Sequence, residues 1–328
     1  MLLFIIAGNF HPAGCFAQNI SMMQEYERNM VSAMERMYSS PTDNERFHAN
    51  EEFLILLDEI LHQPKSFHYA FDALTKISRL TSSDKQFRLF TWSVVREDGE
   101  YEVFGYLQSK DTETGEYNVH RLIDKSDDMP MPEQQRCEVS EWYGCVYYDL
   151  IENKVKDKTY YTLLGRTGHN IYTQRKVIEI LHFRNHGTKP VFGYPLFHKE
   201  KGTLRKVFEY SKDATMVLQF EKQPYEISKR KRVSLFSKQK YKQVTETKYA
   251  DMLIYEELEP IFHGMGGLLQ YYAPSGVMKA YLFQDGKWRN VDKPMPRNPK
   301  TKHDDYDDQI PDKQHPAYTP EHNRLFPY

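Results

Sequence analysis

The sequence predicts an α+β protein in which a helical N-terminal section precedes a large antiparallel β-domain. Apolar residues recur with a period near 3.6 up to residue 84, and with a period of two or in short runs from residue 85 onward. The strand-like segments follow one another without helices between them, which is typical of a sandwich, an open barrel or a curved meander. We therefore expect a helical section over 18–84 and a β-domain over 85–291.

The helical section is expected to contain three helices. A methionine-rich apolar stripe over 23–37 marks the first helix, which Pro41 ends. The segment 42–44 (Thr-Asp-Asn) supplies an N-cap for the second helix, with Glu45 near its first turn. Ser66 is expected to cap the third helix, whose apolar residues are Phe67, Phe71, Leu74 and Ile77.

The β-domain is predicted from short runs rich in tyrosine, valine, phenylalanine and isoleucine, which favour strands. Tyrosine is the most frequent aromatic residue, with 24 copies, and its ring can pack inward while its hydroxyl reaches the rim. Hairpin turns are expected at Glu97-Asp98-Gly99 and at Asp285-Gly286. The predicted strands are 87–95, 101–108, 117–123, 142–151, 159–165, 176–183, 204–210, 214–221, 233–236, 252–258, 268–273 and 278–283, followed by a last strand at 287–291.

The N-terminus has the pattern of a secretory signal peptide over residues 1–17. The run 2–7 is apolar, no charged residue precedes Glu25, and Cys15 and Ala17 are small residues before a cleavage site at Gln18. This pattern predicts a periplasmic or secreted protein, and a buried N-terminal strand is the structural alternative. Ala13-Gly14-Cys15 also matches the end of a bacterial lipobox, so a lipid anchor at Cys15 and an outer-membrane lipoprotein form the second possibility for export.

The remaining chain lacks a membrane span, and its C-terminus lacks periodicity. No other apolar run approaches the roughly 20 residues that a bilayer crossing needs. The stretch 292–328 interleaves prolines with charged residues, so we expect a disordered or surface-draped tail. Its histidine and aspartates lack the ligand order of a calcium loop.

The overall charge gives no indication of a nucleic-acid-binding protein. There are 44 basic and 46 acidic residues, and the formal net charge is −2. One run, 228–242, nevertheless carries seven basic residues. We interpret it as a strand around 233–236 with charged flanks that discourage aggregation. Its functional alternative is contact with an anionic glycan or a lipid headgroup.

Five segments of the predicted β-domain carry the strand patterns with aromatic residues that are most distinctive in this sequence. They are FRLFTW (87–92), WYGCVYYDLI (142–151), TYYTLLG (159–165), KVIEIL (176–181) and FQDGKW (283–288). Together, over roughly residues 85–290, they resemble a family of exported proteins of Bacteroidota-type bacteria that has no assigned activity. The resemblance implies a location in the cell envelope, and it implies no catalytic residue.

The cysteines are candidates for a disulfide bond, and the histidines are candidates for a metal site. Cys137 and Cys145 could form a local disulfide in an oxidising compartment, or Cys145 could be a buried thiol within a strand. His182, His186 and His198 form the densest histidine set. His182 and His186 lie where a predicted strand runs into a turn at Gly187, so they do not share a helical face. We expect neither a metal site nor a cofactor.

No short catalytic motif is present in the sequence. HExxH, GxSxG and P-loop patterns do not occur, and the glycine-rich stretch 263–267 lies between strands as a turn. The carboxylates of Glu102, Asp149, Glu179 and Glu209 lie in or beside strands, where alternation would turn them outward. We therefore expect a non-catalytic envelope protein whose tyrosine-rich strands bind a protein or a glycan, with no nucleic-acid partner. A periplasmic hydrolase of glycan or peptide is the alternative.

Overall fold

The computed structural model describes residues 12–232 and 241–295, which contain two α-helices and thirteen strands. The helices are α1 (Pro12–Ser39) and α2 (Asp43–Leu61). The strands are β1 (Ser78–Thr81), β2 (Phe87–Val95), β3 (Tyr101–Lys110), β4 (Tyr117–Leu122), β5 (Val146–Val155), β6 (Lys158–Thr167), β7 (Thr173–Arg184), β8 (Lys189–Phe192), β9 (Lys206–Ser211), β10 (Leu218–Arg232), β11 (Tyr241–Pro260), β12 (Tyr272–Gln284) and β13 (Lys287–Asn290).

The strands form three antiparallel sheets. The first sheet has the order β1-β2-β3-β4, the second has the order β5-β6-β7-β8, and the third has the order β10-β11-β12-β13. Strand β9 also belongs to the second sheet, where it pairs with β7. The described part of the chain is therefore mostly β with a helical N-terminal part, as the periodicity predicts, and none of its sheets closes into a barrel.

The helices and the three sheets are held together by successive apolar clusters. Side chains of α1 and α2 pack on one face of the first sheet, where Phe90 and Trp92 of β2 meet them. The opposite face of β2 presents Phe87 and Leu89 to the second sheet. The second and third sheets meet in a further cluster centred on the fully buried Trp288. Strands β6 and β7 are buried on both faces because they lie between two such clusters.

Helix α2 begins at the predicted cap. The Thr42 hydroxyl accepts from the Glu45 amide, and the Glu45 carboxylate in turn accepts from the Thr42 amide, which makes a capping box. The helix then buries Phe53 edge-on against Trp92, with ring centroids 5.1 Å apart. The Trp92 indole N–H donates to the side-chain oxygen of Asn50 at 2.8 Å. A local sequence signal and a long-range contact thus agree on the position of α2.

The prediction of a third helix after Ser66 is wrong. Ser66–His68 forms a single 3₁₀ turn, and Phe71 has a φ of 54°, which an α-helix does not accommodate. The carbonyls of Ala70 and Phe71 accept from the Arg79 guanidinium, and the Phe71 carbonyl also accepts from the Leu74 amide in a three-residue turn. The apolar residues of this segment are buried without a helix, and the chain continues into β1, which pairs with β2.

Some strand limits also differ from the expectation. Strand β5 starts at Val146, so residues 142–145 precede it, and residues 269–271 form a 3₁₀ turn before β12 begins. The short strand β8 is absent from the predicted set. The predicted strand at 233–236 lies outside the described residues, as do residues 1–11 and residues 296–328 of the predicted tail. Neither helix within the described ranges combines the length and hydrophobicity that a bilayer crossing requires.

Candidate functional site

A cavity of about 1050 Å³ opens where one end of the first sheet meets the second sheet. The turns β1–β2 and β3–β4 form one side of it, and the β5–β6 hairpin with the end of β7 forms the other. We call this cavity the tyrosine cleft. Its defining residues are Asp84, Asp157, Lys158, Tyr160, Tyr161, His182, Arg184, His186 and Tyr194.

Consecutive positions of β6 supply two of the cleft's tyrosines. Successive side chains of a strand point to opposite faces. Tyr161 therefore packs between the first and second sheets, whereas Tyr160 packs on the other face of the second sheet. Both reach the cleft because the strand starts at its edge, immediately after the hairpin.

Three rings form the aromatic wall of the cleft. The centroid of Tyr194 lies 4.4 Å from that of Tyr160 and 5.1 Å from that of His182. Burial and a hydrogen bond with Tyr194 raise the pKa of the Tyr160 hydroxyl to about 12. Tyr194 is half-buried, whereas the other two side chains are buried, so Tyr194 offers the most accessible ring of the three.

His182 contributes a polar atom whose hydrogen-bonding capacity is unused. The residue is only 7% exposed, and its Nδ1 atom is buried without a hydrogen-bond partner among the described residues. Burial, with the nearby guanidinium groups of Arg184 and Arg136, lowers the pKa of the imidazole to about 4. The ring is therefore neutral at pH 7. A buried polar atom left unpaired costs about 1–3 kcal/mol, which the packing around the ring has to offset.

The rim of the cleft is tied together across the first and second sheets. The Tyr161 hydroxyl donates to Asp84 Oδ2 at 2.6 Å, and the Thr112 amide donates to the His186 carbonyl at 2.7 Å. Gly187 has a φ of 97°, and a Cβ atom there would lie 2.2 Å from the last carbonyl oxygen of β3. This position therefore requires glycine, which lets the turn after β7 approach the first sheet closely.

The structure brings together two of the three candidate histidines. His182 and His186 both line the tyrosine cleft, but His186 is exposed and its Nε2 lies 3.3 Å from Glu113 Oε1. His198 lies elsewhere, where its Nε2 accepts from Arg289 Nη1 at 3.1 Å. Within residues 12–232 and 241–295, no three or more His, Cys, Asp or Glu side chains are grouped so that they could hold a metal ion.

The two candidate disulfide cysteines are buried free thiols in the structure. Cys137 Sγ accepts a hydrogen bond from Arg205 Nη2 at 3.1 Å. Cys145 packs so closely on β6 that a Cβ atom at Gly165 would lie 1.9 Å from its Sγ. Burial raises the pKa of both thiols, since it disfavours the thiolate. This arrangement matches the buried-thiol alternative for Cys145, and neither cysteine has the features of a nucleophile.

Among the strand carboxylates, Glu179 does not point outward as expected. It lies on β7 between the first and second sheets and is fully buried. The guanidinium of Arg205, also fully buried, donates from Nε to Glu179 Oε2 at 2.6 Å. Its other oxygen accepts from the Ile180 amide at 2.9 Å. Both carboxylate oxygens are thus hydrogen-bonded within the protein. Glu179 belongs to the core and not to a catalytic cleft.

The strand carboxylate of Glu209 belongs to a histidine–carboxylate group at the start of β7, and no sequence pattern connects it with its partners. Arg175 donates to His169 Nε2 at 2.7 Å and to Glu209 Oε2 at 2.7 Å. Arginine has no acceptor, so His169 Nε2 must supply its lone pair and the proton must lie on Nδ1. A histidine whose lone pair is occupied in this way cannot accept a proton from a substrate. We therefore assign this group a structural role.

The exposed tyrosines come from several elements. They lie on α1, on β5, in the β6–β7 connection and at two positions of β11. Most described tyrosines are buried or half-buried, so few of the tyrosines on the strands are available for the stacking face expected from the sequence. The exposed set is Tyr38, Tyr148, Tyr172, Tyr241 and Tyr249.

Comparisons of the chain with protein-family models, with curated proteins and with solved structures find no match. The tyrosine cleft therefore has to be interpreted from its own geometry. The sequence places Tyr160, Tyr161 and His182 in predicted strands but does not connect them with Tyr194 or Asp84. No sequence signal could have done so, because these residues come from different strands and turns that meet only in the folded chain.

Proposed function

We propose that this protein is an exported envelope protein that binds a glycan, without catalysing a reaction, in the tyrosine cleft. The signal-peptide pattern of residues 1–17 and the resemblance to exported proteins support the location. The glycan class is supported by the composition of the cleft, since ligand pockets combine aromatic walls with a few polar groups that orient the ligand.

The observation that carries this proposal is the contact of Tyr160, His182 and Tyr194 at an open cavity. The apolar face of a sugar ring can stack on an aromatic ring, and Tyr194 offers such a surface beside its polar tip. The buried ring of His182 packs against Tyr194 and helps to hold that ring at the cavity. The charged groups of Asp84, Asp157, Lys158 and Arg184 surround this wall and can orient further hydroxyls.

Isothermal titration calorimetry with soluble envelope glycan fragments tests the proposal. Tyr194→Ala should weaken binding at least tenfold, because it removes the accessible ring, and Tyr194→Phe should weaken it less. Tyr172→Ala is the matched control, since Tyr172 is 62% exposed and lies outside the cleft. Equal affinities of Tyr194→Ala and Tyr172→Ala for a bound glycan would contradict the proposed site.

Mass spectrometry of the protein isolated from its native cells tests the location. A mature N-terminus at Gln18 would support cleavage by a signal peptidase. A lipidated Cys15 would select the lipoprotein alternative, and an intact Met1 would contradict export.

A periplasmic hydrolase remains the second candidate because two carboxylates, Asp84 and Asp157, line the same cleft. Glycosidases commonly use a pair of carboxyl groups on either side of the scissile bond. Release of reducing ends from glycan fragments, abolished in both Asp84→Asn and Asp157→Asn, would favour hydrolysis. Binding without product release in the wild-type protein would favour the non-catalytic function.

A further inference from the structure

The hairpin of β10 and β11 extends beyond the third sheet as a two-stranded arm. We define the arm as residues 225–232 paired with residues 241–248. Its eight residue pairs run from Tyr225 opposite Lys248 to Arg232 opposite Tyr241. At about 3.3 Å per residue, the arm is about 25 Å long.

Most of the arm has no other strand beside it in the described chain. Strand β12 pairs with β11 only from Met252 to Pro260, so it ends before the arm begins. On the other edge, residues 293–295 bond to β10 only at Pro224 and Glu226. The two strands beyond this point therefore pair with each other alone and expose both faces.

One face of the arm is strongly basic. Side chains alternate between faces along each strand, so the register places four lysines on the same face. They are Lys229, Lys231, Lys242 and Lys248. Glu246 is the single carboxylate among them, which leaves a net charge of +3 on this face. We call it the lysine face.

The lowered pKa of Glu246 reflects the positive potential of the lysine face. Its carboxylate accepts from Lys229 Nζ at 2.7 Å, and both side chains are about half exposed. This hydrogen bond and the charge of Lys229 lower the pKa of Glu246, and Lys248 and Lys231 lower it further. One carboxylate thus interacts with three ammonium groups, so most of the positive charge is left for an external anion.

We propose that the lysine face docks on a bilayer surface that contains anionic phospholipids. The face carries its charges as lysines, whose ammonium groups act as point charges and not as planar bidentate donors. The half-buried Tyr225, Ile227 and Val244 alternate with these lysines. Lysine stems can cover apolar residues of this kind while their ammonium groups reach the phosphate layer.

These features favour a membrane over a nucleic acid. Bidentate arginine contacts are the commonest specific contact to guanine in DNA, and the lysine face contains no arginine. The other register positions of the arm hold Arg230, Arg232 and Glu226 with two threonines, a net charge of +1 against +3 on the lysine face. Because the positive charge is greater on one side of the arm, that side can face an anionic bilayer while the other side stays in water.

Co-sedimentation of the full chain with vesicles tests this proposal. Vesicles of phosphatidylglycerol and phosphatidylcholine (1:3) should bind the protein, and pure phosphatidylcholine vesicles should not. A lysine near an anionic membrane contributes about fivefold to partitioning, so Lys231→Gln/Lys242→Gln/Lys248→Gln should reduce binding about 100-fold. This variant keeps the pair between Lys229 and Glu246. Binding should also disappear in 1 M salt, where the Debye length falls to about 3 Å.

A matched variant controls for the change in total charge. Lys154→Gln/Lys199→Gln/Lys201→Gln removes three exposed lysines outside the arm and should bind as the wild type does. Equal binding of the two triple variants would overturn the proposal. The proposal would also be overturned if the wild-type protein did not bind the anionic vesicles but bound duplex DNA or a sulfated polysaccharide. Glycan binding in the tyrosine cleft is measured separately, so failure of one proposal does not decide the other.

Discussion

Arg205 and Glu179 form an ion pair in which neither side chain is exposed to solvent, with Nε and Oε2 2.6 Å apart. Arg205 also donates to the Gln135 carbonyl at 2.8 Å and to Cys137 Sγ, so one guanidinium ties residues 132–137 to β7. Burial raises the pKa of Glu179, and Arg205 offsets part of that rise. The core between the first and second sheets thus contains a buried ion pair.

Removing Arg205 should destabilise the protein strongly. Arg205→Met leaves a buried carboxylate without its partner, which typically costs about 3–5 kcal/mol of the free energy of unfolding. Urea denaturation followed by tryptophan fluorescence measures this loss. The double variant Glu179→Leu/Arg205→Met should recover a large part of it, because no unpaired charge remains.

An exposed ion pair is the control for this prediction. Arg36 and Glu52 are 2.6 Å apart with side chains about half exposed, so Arg36→Ala should cost at most about 1 kcal/mol. Similar losses for Arg36→Ala and Arg205→Met would contradict the importance that we assign to burial.

His182 should make the protein less stable as the pH falls from 7 to 5. Its pKa is about 4 in the folded chain and 6.5 in an unstructured peptide, so the unfolded chain binds a proton in this range that the folded chain does not. The stabilisation is complete above pH 6.5 and is lost on acidification. By linkage, His182 should account for a loss of about 2 kcal/mol between pH 7 and pH 5.

The variant His182→Gln isolates this contribution because glutamine does not titrate. Urea denaturation at pH 7 and pH 5 should give a loss of stability that is about 2 kcal/mol smaller in the variant than in the wild type. If both proteins lose the same free energy, the imidazole is not kept neutral by its position in the cleft.

Cys137 and Cys145 should be unreactive in the folded protein. Both thiols are buried and their pKa values are raised, so a thiol reagent at pH 8 should label neither until the chain is unfolded. The measurement is labelling of a Cys15→Ser variant with and without denaturant, followed by mass spectrometry. Two labels in denaturant are expected without a reducing agent. A chain that needs reduction before it can be labelled would have the disulfide instead.

The cap of α2 should contribute a measurable share of stability. Thr42→Ala removes the hydroxyl that accepts from the Glu45 amide and should cost about 1 kcal/mol in urea denaturation. Thr42→Ser keeps an oxygen at the same place and should cost only a few tenths of this amount. An equal loss in both variants would mean that the threonine methyl group, and not the cap, is responsible.

Elements whose signals lie within a few residues were predicted with little error. Strand β2 has the expected bounds, the turn at Gly99 has a φ of 84°, and α2 begins after Thr42. The helix expected from Ser66 does not form, because apolar residues at this spacing can also be buried by a turn followed by a strand. Pairing of β1 with β2, and the bonds from Arg79, supplied partners that the local pattern does not contain.

The sequence by itself determined that the chain is mostly β with a helical N-terminal part, and that its strands are rich in tyrosine. These depend on periodicity, capping and turn residues, which act over short distances along the chain. Only the tertiary structure decided that Glu179 is buried with Arg205 and that Tyr160 meets Tyr194 and His182 at a cavity. Those contacts join residues from different strands and turns, and the packing of the sheets is what brings them within reach of one another.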